Sequence, residues 1–457
     1  YPDLDDSRYD SKWNGEITEW KKMGGKVKVH KTVKAKYLWD LICASAWRSA
    51  EPGLHFLERS NKRSNTYYFE NLIATNPCLT ADAWIHTAKG PKQVKDLLDT
   101  QFTARVDGQD FISAQEGFFK TGTKKVLSLQ TKEGYSLRLT SNHKVKRVSK
   151  FGRYSLETEW SEAGNLKAGD LIVINNHIKN SKWEGKYSYE EGYLMGLLIG
   201  DGTLKSDKAI LSVWKTDEQQ AGVQGVMQEA LQIAVSMPHR NDFVGWTAVK
   251  GREEYRLSLA YIKKIAHDLG MHPGRKTITD IMEKTSSNFY KGLLKGLFDT
   301  DGSVQGSQDK GISVRLSQSN FPFLQAVQRM LLRLGIASTI YQNRRYAGSK
   351  LLPNGKGGYG KYSTKAQHEL VISGESLIVF SKDIGFADTT KSNRLTELLS
   401  QYKRVLNRER FIAKVKEITL AEIEDVFDVQ IPGINAFDAN GLYVHNCGEQ
   451  PLGAWAV

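Results

Sequence analysis

The sequence predicts a multidomain chain. An all-β domain, split in sequence, closes around an inserted α/β domain of two repeats, and short pieces of a different protein flank both ends. Three observations carry that prediction. Cysteine is scarce, and of the three in the chain Cys78 and Cys447 stand where the composition changes. Short β-prone pieces with glycine turns fill residues 78–178, stop, and resume at 413–446. Between them a glycine-rich helical motif occurs twice, at an offset of 100 residues. The expected boundaries are therefore 1–77, 78–178, 179–412, 413–446 and 447–457, the first and last being host sequence.

Residues 1–77 open polar, acidic and aromatic. They pass through the Lys-alternating Lys26-Val27-Lys28-Val29 and form a helical pattern from Tyr37 to Trp47, stopped by Glu51-Pro52-Gly53. Cys43 falls on the apolar face of that helix, where packing is the plainer reading. From Cys78 the texture turns to strands such as Lys125–Gln130, Tyr135–Thr140 and Asp170–Ile174, with turns at Asp107-Gly108 and Thr121-Gly122. The same texture returns in Val426-Phe427-Asp428-Val429, the Asn440-Gly441 turn and Leu442-Tyr443-Val444. A β domain split this way, if closed in space, brings Cys78 and Asn446 together.

In the insert, Gly192-Tyr193-Leu194-Met195-Gly196-Leu197-Leu198-Ile199-Gly200-Asp201-Gly202 is answered by Gly292-Leu293-Leu294-Lys295-Gly296-Leu297-Phe298-Asp299-Thr300-Asp301-Gly302. Small residues at every fourth position share one helix face, so two such helices can pack with their backbones close. Each copy ends in Asp-Gly, which sets Asp201 beside Asp301. Adjacent carboxylates are costly unless a cation or a proton lies between them. Mg²⁺ with oxygen ligands suits the pair, and phosphodiester hydrolysis suits the metal. These motifs resemble the paired LAGLIDADG helices of homing endonucleases. The resemblance implies an α/β domain of two αββαββα-like repeats, double-stranded DNA as partner, Asp201 and Asp301 as metal ligands, and Lys276 and Lys391 as lysines near the cleavage centre. The first copy departs from the pattern, with Ile199 where the inner acid belongs.

At the far junction, Asn446 precedes Cys447. The Asn side-chain amide can attack its own backbone carbonyl, and the cysteine beyond supplies a thiol nucleophile. Together with Cys78, Thr140-Ser141-Asn142-His143, Asp428 and His445, this resembles an intein with a Hint-type splicing fold, covering residues 78–446. The resemblance implies that Cys78 attacks the Pro77 carbonyl, with His143 protonating the leaving nitrogen and Thr140 supporting the oxyanion. Cys447, assisted by Asp428, then takes the acyl group. Asn446 cyclises with help from His445, and no cofactor is needed. Asn435 stands where many inteins carry a histidine, and Asn cannot shuttle a proton near neutral pH.

Joined across the insert, the flanks read Asn76-Pro77-Cys447-Gly448-Glu449-Gln450-Pro451, which resembles the active-site strand of ribonucleotide reductases, most closely the adenosylcobalamin-dependent class. That implies an α/β-barrel host acting on a ribonucleotide, with Cys447 as radical carrier, Glu449 as acid/base and Asn76 holding substrate. The formal charge of +13 lies mostly on residues 78–446 and suits a polyanion partner. No apolar run is long enough for a membrane span. Few cysteines indicate a reducing, cytoplasmic setting. A start at Tyr1 rather than Met indicates a fragment. Two other readings compete. One is a splicing-impaired intein whose inactive endonuclease only binds DNA; the other is a host enzyme with a purely structural insertion.

Overall fold

The computed structural model describes residues 2–3, 5–9, 17–29, 31–49, 78–152, 155–214, 220–307, 311–353, 359–401 and 406–446. Asn76, Pro77, Cys447 and Glu449, and the breaker Glu51-Pro52-Gly53, fall outside them. In the first segment the helix Ala35–Ser49 spans the periodic stretch, and it exposes Trp39, Leu41 and Trp47 to solvent.

The β domain is a 13-stranded sheet with antiparallel pairing between its named strands. Its longest strand, Ile412–Val429, begins one residue ahead of the boundary expected at 413. That strand pairs at one end with Leu171–Val173 and along most of its length with Phe118–Thr131. Residues from both halves of the split thus alternate across one sheet, which is how a domain interrupted by more than two hundred residues still closes. Two tight turns set the registers. Asp107-Gly108 and Asn440-Gly441 both place φ in the left-handed region, at 48° and 73° and at 52° and 89°, as two-residue hairpins require.

The insert runs helix, two strands, helix, two strands, helix, and after the short helix Asp280–Glu283 the second copy repeats this order with a hairpin added between its last two strands and a further helix at its end. Its sheets keep one order in both copies. Thr203–Leu204, Ala209–Trp214, Glu254–Ser258 and Thr247–Ala248 lie side by side, as do Gly302–Ser307, Gly311–Gln318, Gln367–Ile372 and Thr339–Arg345. The helices Tyr189–Gly200 and Ser287–Asp301 form the seam between copies. Ser188 and Ser286 cap their N-termini, and Glu191 completes a capping box on the first. The seam is backbone against backbone. A Cβ on Gly196 would lie 2.3 Å from the Leu293 carbonyl oxygen, and one on Gly292 2.0 Å from that of Tyr189. No larger side chain fits at that spacing.

Two large hydrophobic cores result, one in the insert and one in the β domain, beside a separate small cluster of Cys78, Val126 and Val426, and Leu332 and Ala337 of the insert belong to the second core. The join is polar as well. Buried Glu283 takes Arg329 and Arg333, whose guanidinium carbons lie 6.0 and 5.4 Å from the centre of the Trp84 ring, and Lys284 pairs with Asp96 at 2.6 Å. Burial of the Glu283 carboxyl is offset by the two arginines, which hold it below its ordinary range.

Candidate functional site

Cys78 opens the β domain and is fully buried. The strand after it pairs Leu79 with Leu139 and with Phe427. These registers set Thr140 and Asp428 beside the cysteine. Thr140 Oγ1 accepts the Cys78 N–H at 2.8 Å, and the Thr140 N–H donates to the Cys78 carbonyl at 2.9 Å. Thr140 Oγ1 therefore sits on the Cys78 amide nitrogen and also lies 3.4 Å from the Cys78 carbonyl oxygen. His143 closes the same turn through its N–H to the Thr140 carbonyl, and its ring is wholly buried 6.3 Å from that of Phe437.

The downstream junction comes to the other side of that turn. Leu442–His445 pairs with Lys144–Phe151 through Val444 and Val145, and with Ala436–Ala439 along its length. Asp438 anchors this last hairpin by accepting the Gly441 N–H at 2.7 Å and meeting His177 Nε2 at 2.7 Å. The Asn446 N–H donates to the Asn435 carbonyl at 3.1 Å. The Asn446 side-chain amide is buried, and neither its oxygen nor its nitrogen has a hydrogen-bond partner among the described residues. Trp160 packs edge-on against His445 at 4.7 Å. Burial, with Lys144 nearby, lowers the His445 pKa and favours the neutral imidazole.

Sequence reading missed two residues here. Thr121 Oγ1 contacts Cys78 Sγ, and Lys124 Nζ lies 3.6 Å from the same sulfur. Burial pushes the Cys78 thiol up to about 11, against the pull of Thr121 and Lys124, while Asp428 adds to the rise. Asn435 has φ 52°, a left-handed conformation that Asn and His adopt more readily than most residues.

In the insert, the C-terminal ends of the seam helices bring together all four expected residues. Asp201 and Asp301 are raised chiefly by burial, and each lies within the field of both Lys276 and Lys391. Lys276 Nζ donates to the Gly200 and Gly202 carbonyls at 2.9 and 2.6 Å. Lys391 Nζ reaches the Asp299 carbonyl at 2.5 Å. A cleft of about 430 Å³ opens on Asp201, Thr300 and Lys391. Asp299 lines the same cleft, but its carboxylate is already engaged. Its carboxylate accepts the N–H groups of Ala387 and Asp388 and the Tyr193 hydroxyl, so it fixes the loop that carries Lys391. No group of three acidic, His or Cys side chains surrounds the pair among the described residues. Two carboxylates fit a Mg²⁺ ion that keeps its waters and binds substrate phosphates.

Residues 6–81 match the ribonucleotide reductase barrel domain, and residues 288–385, which are the second repeat, match the LAGLIDADG-like domain. The NrdEB alpha subunit of a ribonucleoside-diphosphate reductase from Bacillus subtilis is 26% identical over 91% of this chain and 40% of its own length. A replicative DNA helicase DnaB from Nostoc is 24% identical over 82% of this chain and 49% of its own. A reductase and a helicase are thus each matched over more than four fifths of this chain. The chain is an intein with a LAGLIDADG-type insert, set in ribonucleotide reductase sequence. The intein and its flanks span about two fifths of the length of the first reductase relatives. A DnaB mini-intein crystal structure is also similar, at 11% identity over 81% of this chain and 99% of its own, with a TM-score of 0.26. Among the described residues no helix of the intein or its flanks is long and apolar enough to cross a membrane.

Proposed function

We propose that this chain excises residues 78–446 from itself and joins Pro77 to Cys447. The observation that supports it best is the Thr140 hydroxyl on the Cys78 N–H. A hydroxyl there orients the amide whose nitrogen must leave, and it brings the Thr140–His143 turn against the junction. The Cys78 thiolate adds to the Pro77 carbonyl, the C–N bond breaks, and the freed nitrogen takes a proton from buried His143. Cys447 displaces the Cys78 thiol from that thioester. The Asn446 amide nitrogen, without a hydrogen-bond partner among the described residues, attacks its own backbone carbonyl and expels the Cys447 amine. Neutral His445 is suited to take the proton. The freed amine then attacks the thioester and leaves an amide. Mass spectrometry of the expressed chain tests this. It should give residues 78–446 free, beside one product joining 1–77 to 447–457, and Asn446→Ala should stop at the thioester, releasing 1–77 to hydroxylamine. Absence of both products from folded protein would falsify the reading.

The end of the helix seam supports a second activity, metal-dependent cleavage of double-stranded DNA at the uninterrupted host gene. Asp201 and Asp301 would hold Mg²⁺, which supplies charge stabilisation at the phosphate. Lys276 and Lys391, tethered to the helix ends by their own hydrogen bonds, neutralise the site in its absence. Asp201→Asn or Asp301→Asn should abolish cutting and leave splicing intact, and cutting by the double variant would remove the metal assignment. The joined host reads as a ribonucleotide reductase. Its ribonucleotide substrate and adenosylcobalamin are what the sequence resemblance implies, and a cytoplasmic setting is read from the scarcity of cysteine.

A further inference from the structure

The two repeats of the insert differ most where the third and fourth strands connect. In the first repeat, residues 249–253 suffice; in the second, residues 346–366 intervene. Within them Gly348–Pro353 pairs with Tyr359–Thr364 as a separate two-stranded sheet, from Gly348↔Thr364 to Pro353↔Tyr359. From 344 to 365 the sequence has six basic side chains (Arg344, Arg345, Lys350, Lys356, Lys361, Lys365) and no acidic one. Tyr346 is 83% exposed and Leu351 71%, and no described residue of the hairpin joins either hydrophobic core.

Register fixes where this hairpin springs from. Gln318 pairs with His368, Arg345 pairs with Gln367, and Gln318 Nε2 donates to Asp301 Oδ2 at 2.7 Å. The hairpin therefore leaves the sheet at the end that holds the Asp301 carboxylate. Its root is braced, because buried Glu369 takes both Arg315 and Arg344, at 3.2 and 3.6 Å. That leaves Arg345 and the lysines without an acidic neighbour in the hairpin's own sequence.

We propose that the hairpin at residues 346–366 is an arm that grips duplex DNA through its phosphates, carried by the second repeat alone, so that this nearly symmetric fold holds its two half-sites unequally. The inference rests on the reading that the insert binds DNA. A duplex presented to Asp201 and Asp301 passes the base of the arm, where lysines and exposed tyrosines meet a polyanion. An acidic protein would satisfy the charge but has no reason to be brought to the Asp301 end.

The test uses the full chain carrying Cys78→Ala, which keeps insert and β domain together. The probe is a duplex of the uninterrupted gene across the Asn76-Pro77-Cys447-Gly448 codons. Affinity is titrated against salt and the complex is footprinted with hydroxyl radicals. One variant carries Lys350→Gln, Lys361→Gln and Lys365→Gln; a second replaces residues 346–366 by the 249–253 connection. Both should melt as the parent does. The triple variant should flatten the slope of log K against log salt by about 0.9 for each phosphate it no longer neutralises, roughly 2–3 in all, and both variants should lose protection on one half-site only. If slope and footprint stay as in the parent, or protection falls equally on both half-sites, the arm is refuted while DNA binding stands. If the parent does not bind the duplex at low salt, the DNA reading falls with it.

Discussion

Lys124 is the residue whose role at Cys78 only the fold brings out. It lies on Phe118–Thr131, a strand whose register with Ile412–Val429 carries two shifts near this point, at Leu420/Ile423 and Val426/Phe427. Nothing in the spacing from residue 78 to 124 announces that a lysine will face the sulfur, whereas Thr140, His143 and Asn446 are legible because they sit in short ordered motifs. A thiol pushed up to about 11 by burial is almost wholly protonated at neutral pH, so the proposed first step would draw on a small thiolate fraction that the ammonium enlarges. In an Asn446→Ala background, Lys124→Met should slow thiol-induced release of residues 1–77 by about tenfold or more at pH 7.5. It should also shift the pH profile to higher pH, and Lys124→Arg should restore most of the rate. An unshifted profile would assign the lysine to packing alone. The same burial has a stability sign. Between the ordinary 9.0 and about 11 the unfolded chain ionises this thiol and the fold does not, so its contribution is complete below pH 9 and is lost as pH rises through 11. Asn435 adds a second case. Its φ of 52° is tolerated by His, so Asn435→His should preserve the fold and speed cleavage after Asn446, read as the rate of C-terminal release. An unchanged rate would mean that a neighbour already supplies that proton transfer.

Among the elements, the paired helices are the most legible, because the fourfold spacing of small residues states its own packing partner. Gly196→Ala would set a methyl against the Leu293 carbonyl, and both elements are backbone there, so neither can yield as a side chain would. Stability should fall by about 1–3 kcal/mol or more, read by melting, and DNA cutting should vanish because Asp201 and Asp301 no longer meet. Spliced product should still form, since the β domain keeps its own core. Loss of splicing as well would show that the two cores fold as one unit. Asp299 is less legible. In the sequence it is the inner acid of the second motif, and only the loop at 387–388, folded back from nearly ninety residues away, shows its carboxylate receiving backbone N–H groups. With Ile199 in its place, the first repeat has no carboxylate at that point to hold Lys276. The basic hairpin at 346–366 is hidden from the sequence for a similar reason: its register partners are needed to see which end of the sheet it leaves.

At the scale of the whole molecule, the split β domain decides what the host can do. Strands from residues 78–178 and 412–446 interleave in one sheet, so both halves of the split share one scaffold, and the proposed cut at either junction would need that sheet intact. The host side of each junction is expected to be the reductase's catalytic strand, with Asn76 before the insert and Cys447 and Glu449 after it. Those groups must contact one ribose together, and effective catalysis tolerates displacements of only about an ångström. An intervening domain with two cores of its own cannot lie between neighbours on a strand and leave them in register. The unspliced precursor is therefore expected to be inactive as a reductase, with Cys447 serving first as splicing nucleophile and afterwards as the host's radical-carrying thiol. The measurement uses the full-length host gene. Cys78→Ala should yield an unspliced protein with no ribonucleotide turnover, while the parent gives spliced, active enzyme. A precursor that reduces ribonucleotides at a measurable rate would place the host's catalytic groups elsewhere than Asn76, Cys447 and Glu449.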